Sequence, residues 1–374
     1  MSDRRVLVTG GAGFVGSHLV DALVERGDRV TVVDSLDPQV HGPDREVPEW
    51  LSPRAELIRG DVRDRDVWDG LLTGVDVIYH LAAAVGVGQS MYQVADYTET
   101  NTQGTANLLQ ALIDQDLRPR LVVASSMSIY GEGRYRRPDG RAPIARRREP
   151  EALRRRDWEL RDPDGTELIP APTPEDEPLD PTSIYALTKK DQETMSLLVG
   201  EAYGIPTTAL RFFNIYGPRQ ALSNPYTGVV AIFSSRLLNG EPPLIYEDGA
   251  QRRDFVSVHD IVRALVLTAE SPAAVGEVLN VASGQPVTIV GVARQLAALL
   301  GVDAEPEVTG RYRVGDIRHC TADIGRARRL LGYEPEVTLE EGLQELLAWL
   351  RAQRPPESKA GEHVADLASR GLAI

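Results

Sequence analysis

The sequence predicts an α/β fold, with a doubly wound parallel sheet followed by a smaller C-terminal α/β unit. Three observations carry this. Short β-branched runs alternate with helical patterns through the first 215 residues. A glycine-spaced turn, "VTGGAGFVG", joins the first such run to the first helical pattern. After about residue 215 the alternation becomes less regular and richer in Gly and Pro.

The elements follow in order. "RRVLVTG" is a β-branched run that stops at a glycine, and "GSHLVDALVERG" places Leu19, Leu23 and Val24 on one helical stripe. "RVTVVD", "AELIRGD" (55–61), "VDVIYHLA" (75–82), "RLVVASS" (120–126) and "PTTALRFFN" (206–214) read as further buried strands. Beyond them, "GVVAIFSSRLLNG", "VHDIVRALVLTAES" and "TIVGVARQLAALLG" read as helices and "EVLNVASG" as a strand. "TLEEGLQELLAWLRAQ" is an amphipathic helix. The expected division is 1–215, then 216–352 with elements crossing back, then a tail at 353–374.

One segment departs from this pattern. From about 131 to 181 no core periodicity is visible, and eleven arginines lie between Arg134 and Arg161, followed by the acidic "PAPTPEDEPLDP". It reads either as a solvated insertion of mutually neutralising charges or as a lid or partner-contact loop over an anionic ligand.

Composition bounds the function. The 374 residues are 26% charged and 42% hydrophobic, which is ordinary for a globular protein. A net charge of −14 disfavours general binding to nucleic acid or anionic membranes. No apolar run approaches the roughly 20 residues that span a bilayer. The strand that starts almost at the N-terminus leaves no room for a signal peptide, so a cytoplasmic location is the default expectation. Cys320 is the one cysteine, which excludes an intramolecular disulfide and a cysteine-rich metal site, and no metal is expected.

Gly10, Gly13 and Gly16 sit where strand gives way to helix. Such glycines let the turn close, let backbone N–H groups approach a pyrophosphate, and let helix pack on strand. The helix N-terminus adds partial positive charge. Asp34 ends the second strand, where a carboxylate accepts hydrogen bonds from both ribose hydroxyls of an adenosine and repels a 2′-phosphate. The combination is a Rossmann-type site for NAD rather than NADP. Asp61 and Val62 suit the adenine edge, and Leu81, Ala82 and Ala83 in "HLAA" let backbone pass close to a cofactor.

"SIYALTKK" places Tyr185 and Lys189 on one helix face. A tyrosine titrating near 10 is a poor base at neutral pH unless a neighbouring cation favours the phenolate. Lys189 is that cation, and it also suits ribose hydroxyls. Ser126, ending "VVASS", can hydrogen-bond a substrate oxygen that exchanges a proton.

With "GDVRD", "NTQGT", "SSMSIYG", "YALTK", "RFFNIYGPR", "RRDFVSVHD" and "GDIRHCTAD" added, the chain resembles the extended short-chain dehydrogenase/reductase family, in its nucleotide-sugar epimerase and dehydratase branch. The resemblance runs from about residue 4 to 350, apart from the insertion. It implies that the C-terminal unit binds substrate, that Phe14 and Val15 meet the pyrophosphate through backbone, and that Asn101 supports the strand ends. It also implies that Asn214, Arg253 and Arg313 bind a substrate diphosphate, where paired guanidiniums make charge-assisted hydrogen bonds. A homodimer through the helices after Asn101 and around Tyr185 is a further implication.

Family 4,6-dehydratases carry an Asp-Glu pair where this chain has Met127 and Ser128, and decarboxylating members usually place Glu at the second position. Without these groups the resemblance points to a 4-epimerase acting on a dTDP- or UDP-linked hexose, with Ser128 sharing hydrogen bonds with Ser126. A dehydratase or 4-ketoreductase is the alternative within the family, and a non-enzymatic NAD-binding scaffold the alternative outside it. "AAAVGVGQSMY" and "ALSNPYTG" resemble a bacterial subgroup described as dTDP-L-rhamnose 4-epimerase-like. Cys320 either borders the sugar pocket as a small wall residue or fills the core as a small hydrophobe.

Overall fold

A computed structural model describes residues 3–220, 228–313, 315–352 and 369–372. Five parallel strands form first: β1 (Arg5–Thr9), β2 (Arg29–Asp34), β3 (Glu56–Arg59), β4 (Val77–His80) and β5 (Arg120–Ser126). Their buried faces are Val-, Leu- and Ile-rich on both sides, as a sheet covered twice requires. A two-residue antiparallel pair in the insertion, β6 (Tyr135–Arg136) and β7 (Ile169–Pro170), follows. Next come β8 (Thr207–Phe212), β9 (Asn214–Tyr216), β10 (Leu244–Ile245), β11 (Arg252–Ser257), β12 (Val278–Val281), β13 (Pro286–Thr288), β14 (Glu307–Val308) and β15 (His319–Cys320).

The main sheet has seven strands in the order β12-β8-β5-β4-β1-β2-β3. The order reverses between β1 and β4, and ligands of such sheets bind in the crevice that this reversal opens at the carboxyl ends of the strands. A smaller sheet carries β13, β11 and β15 in that order, with β9 pairing parallel to the last three residues of β11, Phe255–Ser257. Its core is separate and includes Phe233, Phe255, Leu296 and Leu346.

One expectation is revised. The run "PTTALRFFN" is not one strand. It leaves the main sheet after Phe212, and Asn214 opens β9, which pairs with β11. Asn214 therefore stands where the two sheets meet. Beyond residue 215 several elements return to the main sheet. β12 pairs with β8, the helix Val258–Glu270 packs on the helix Phe14–Glu25 and β5, and the helix Gly325–Leu331 packs on β12 within the main sheet's core. The periodicity of each element is local, but the partner that buries it is not.

The insertion is folded. Tyr135, Leu160 and Leu168 form a small core of their own. Asp162 accepts the N–H groups of Ile144 and Ala145, both at 2.9 Å, and pairs with Arg137. Thr173 N–H donates to Thr321 at 2.8 Å, tying the segment to the C-terminal unit. Three core residues spread over so long a stretch leave no period to read. The tail at 353–374 lies outside the described residues except for 369–372. Among the described residues no helix is long and apolar enough to cross a membrane.

Candidate active site

The glycine turn is held by contacts that only glycine permits. Gly10 has φ +70, and a Cβ there would lie 2.9 Å from the Ala82 nitrogen. A Cβ on Gly16 would overlap the Gly10 carbonyl oxygen. Gly13 caps the helix Phe14–Glu25 without a side chain. The N–H groups of Phe14 and Val15 stand in the first helical turn, where they lack intrahelical acceptors. The cradle thus suits a pyrophosphate.

Asp34 ends β2 and is 9% exposed, with its carboxylate accepting Ala12 N–H at 3.0 Å and Leu36 N–H at 2.9 Å. These bonds clamp the carboxylate against the turn and leave further lone pairs on both oxygens for ribose hydroxyls. Burial pushes the Asp61 carboxyl up, but hydrogen bonds from the Arg63 guanidinium and N–H outweigh it and leave the pKa lowered. The Val62 side chain is buried against Gly104, so only its backbone can face a ligand.

Leu81 and Ala82 both donate their N–H to the Thr9 hydroxyl at 3.1 Å, fixing the strand end, and Ala83 follows half-buried. Asn101 lies in a π-helical segment, Thr98–Gln103. Its side chain accepts from Ala84 N at 2.8 Å and donates to Ala84 O at 3.1 Å and Thr188 Oγ1 at 3.0 Å. Such segments are frequent at functional sites. Here it joins the loop after β4 to the helix that carries Tyr185.

That helix, Ile184–Tyr203, is capped by Ser183, whose Oγ accepts Ala186 N–H at 3.1 Å. Tyr185 and Lys189 lie on its inward face. Ser126 ends β5, and its Oγ accepts Ser128 N–H at 3.2 Å and lies 3.0 Å from Ser128 Oγ. Burial holds the Tyr185 phenol above its usual value, and a hydrogen bond with Ser126 pulls it part of the way back. The Tyr97 ring meets Tyr185 edge-on at 6.4 Å.

Lys189 is buried at 3% exposure and bonds Ala124 O and Gln192 Oε1. Burial pulls its ammonium down to about 7, opposed by Glu193. A buried polar chain, not visible in the sequence, stands behind it. Gln192 donates to Thr105 Oγ1 at 2.8 Å, and that hydroxyl donates to Asn101 O at 2.7 Å. Thr105 Oγ1 is thereby left as acceptor for His80 Nε2 at 3.0 Å. Thr9 already accepts two N–H groups, so its own proton goes to His80 Nδ1 at 2.9 Å. His80 is therefore the neutral Nε2–H tautomer, consistent with burial lowering its pKa to about 3.

On the substrate side, Asn214 Oδ1 is buried and has no hydrogen-bond partner among the described residues. Arg253 donates to the carbonyls of Arg252 and Arg318, both at 2.9 Å, and to that of Ile317. Arg313 pairs with Asp316 at 2.9 Å and lies over the Tyr246 ring at 4.8 Å. Cys320 is 2% exposed within the main core, with its Sγ beside Gly133 and Thr173, and burial pushes its thiol up to about 12. Most of the run "ALSNPYTG" lies outside the described residues. Among those described, no three His, Cys, Asp or Glu side chains are arranged to hold a metal.

The model of the NAD dependent epimerase/dehydratase family matches residues 6–152 and 163–282. The chain is 37% identical to a dTDP-L-rhamnose 4-epimerase of Burkholderia thailandensis, covering 93% of this chain and 95% of that one. The structure of a UDP-glucose 4-epimerase from Thermotoga maritima with UDP-glucose superposes with a TM-score of 0.77 at 32% identity, over 93% of this chain and 99% of that one. A dTDP-glucose 4,6-dehydratase from Streptomyces venezuelae, with NAD bound, superposes with a TM-score of 0.76 at 30% identity, over 94% and 98%. The glycine cradle and the clamped acid at the end of β2 fit NAD. The chain is an NAD-using enzyme and belongs to the NAD dependent epimerase/dehydratase family.

Proposed function

We propose that the enzyme is a nucleotide-sugar 4-epimerase, inverting the C4 hydroxyl of a dTDP- or UDP-hexose through a transient 4-keto sugar. The observation that carries this reading is the Ser126–Ser128–Tyr185 cluster at the end of β5, with Met127 where an acid would serve elimination. Ser126 and Ser128 hold a sugar oxygen within reach of the Tyr185 phenol. Tyr185 takes the hydroxyl proton and later returns it. Lys189, fixed by Ala124 and Gln192, offers its ammonium to the phenolate and to the cofactor ribose. When bound, NAD supplies the acceptor and donor of the hydride that leaves C4 and comes back. Asn214, Arg253 and Arg313 hold the substrate diphosphate, leaving the sugar free to turn over between the two transfers. The 37% identity to a dTDP-L-rhamnose 4-epimerase supports starting from dTDP-linked 6-deoxyhexoses.

Leu187 and Leu198 are 43% and 60% exposed on the helix that carries Tyr185, which supports a homodimer through this face. Its mass in solution reads this directly.

The function is tested by incubating the protein with a panel of UDP- and dTDP-sugars and identifying products by NMR and mass spectrometry. The expected product is a C4 epimer of unchanged mass, with no net change in NAD or NADH. Loss of water or of carbon dioxide would replace the reading with a dehydratase or a decarboxylase. Consumption of added NADH would replace it with a ketoreductase.

A further inference from the structure

The Arg148 side chain, in the insertion, is 3% exposed, and its guanidinium is used in three directions. Nε donates to Glu132 Oε1 at 2.7 Å, one terminal nitrogen to Glu247 Oε1 at 2.7 Å, and the other to the carbonyl oxygen of Asp316 at 2.8 Å. The fixed fork of an arginine can satisfy three separated acceptors at once, which a lysine cannot.

Each of those acceptors leads toward the substrate side. Glu247 sits at φ +55, a left-handed conformation that a non-glycine residue adopts at a cost. Its other carboxylate oxygen accepts Arg318 Nη1 at 3.0 Å. Glu132 Oε2 accepts the Arg318 N–H at 2.6 Å. The Asp316 carboxylate receives Arg313 Nε at 3.1 Å and Nη2 at 2.9 Å, and lies 3.7 Å from an Arg253 nitrogen. Arg253 in turn donates to the carbonyls of Ile317 and Arg318. The backbone from Asp316 to Arg318 is therefore gripped by Arg148 at one carbonyl and by Arg253 at the next two. One residue earlier, the Gly315 carbonyl accepts the hydroxyl of Thr182, three positions before Tyr185.

The geometry points to Arg148 as a positioning residue for the substrate diphosphate. It fixes the Asp316 segment, and Asp316 sets the guanidiniums of Arg313 and Arg253. The insertion is thereby part of the substrate site's frame. This inference rests on the reading that Arg253 and Arg313 face a nucleoside diphosphate.

Arg148→Lys tests it, because it keeps the charge but loses the fork. Binding of UDP and dTDP, measured by calorimetry, should weaken about tenfold, the scale of one lost charge-assisted hydrogen bond. Binding of uridine and thymidine, which lack the phosphates, should stay within about twofold, as should NAD content. On turnover, KM should rise by the same tenfold or so while kcat changes less than about threefold, since uniform binding is what is lost. If Arg148→Lys does not fold, Glu132→Gln, which leaves the Arg148 contacts to Glu247 and Asp316 in place, should show a smaller shift in the same direction. A drop in thermal midpoint with diphosphate affinity unchanged in the folded variant would overturn the positioning role. Failure of the parent protein to bind either diphosphate would sink the nucleotide-sugar reading itself, and this inference with it.

Discussion

The glycine turn after β1 and the arginine lattice that includes Arg148 of the insertion are held together in opposite ways. At the turn there is almost no charge. Backbone passes so close to backbone that any side chain on Gly16 would overlap the Gly10 carbonyl. Under the insertion, backbone segments are kept apart by charged side chains, with Arg148 and Arg318 set against Glu132 and Glu247. The first arrangement is rigid because nothing else fits. The second is rigid because removing either sign leaves the other buried without a partner. The two therefore fail differently, by overlap in one case and by uncompensated charge in the other.

Gly16→Val should have the larger effect. The overlap with Gly10 forces the helix Phe14–Glu25 off β1, so the protein should lose its NAD as well as much of its stability. Chromatography of nucleotide released on denaturation reads the first, and a urea titration the second. A variant with full NAD content and the parent midpoint would show that the close approach is dispensable.

Arg318→Met should come next. It removes one of the two cations on the buried Glu247 and one partner each from Glu159, which keeps His319, and from the exposed Asp248, which predicts a loss of about 1–3 kcal/mol. NAD content per folded molecule should be unchanged, because the turn lies elsewhere. A loss below about 1 kcal/mol would place the lattice with ordinary surface ion pairs and dissolve the contrast.

The smallest effect concerns acid. His80 stays neutral in the folded protein down to about pH 3, held there by burial, whereas the unfolded chain takes up that proton near 6.5. The unfolded state thus binds more protons throughout this window, and stability falls as pH drops through it. His18 behaves alike, lowered by burial to about 4. His80→Gln should flatten the decline between pH 6.5 and about 4 while costing some stability at pH 7, from the broken chain to Thr9 and Thr105. An unchanged slope in urea titrations at pH 7 and pH 5 would mean that His80 is not what the acid reaches.

The same contrast explains what could be read from the sequence. The turn is written in contiguous residues: the three glycines, the β-branched runs on either side and Asp34 carry their meaning within one short window. "RVTVVD" and "RLVVASS" coincide with β2 and β5 for the same reason. Tyr185 and Lys189 are legible because a helix brings residues four apart onto one face. Arg148 and Glu247 are 99 positions apart, and Arg318 and Glu247 71 apart, so no local pattern marks them. A solvated reading of the insertion's arginines stays open in the sequence because isolated charges are normally exposed. The chain from Thr9 through His80, Thr105 and Gln192 to Lys189 was hidden for a similar reason. It crosses two strands and two helices, and each member before Lys189 is ordinary taken alone.

The seventh strand has a consequence for how the protein is made. β8 is complete at Phe212, but its outer neighbour β12 ends at Val281. During synthesis the open side of β8 stays unpaired until some seventy further residues have left the ribosome, with its N–H and C=O groups available to any passing strand. In the meantime the growing chain adds β9 and β11, two of the four strands of the smaller sheet, whereas β13 and β15 come only after β12. The two halves must therefore mature together. A nascent chain released early would have a nearly finished cofactor site on a sheet with an open edge, a species for chaperones to shield rather than a smaller working enzyme.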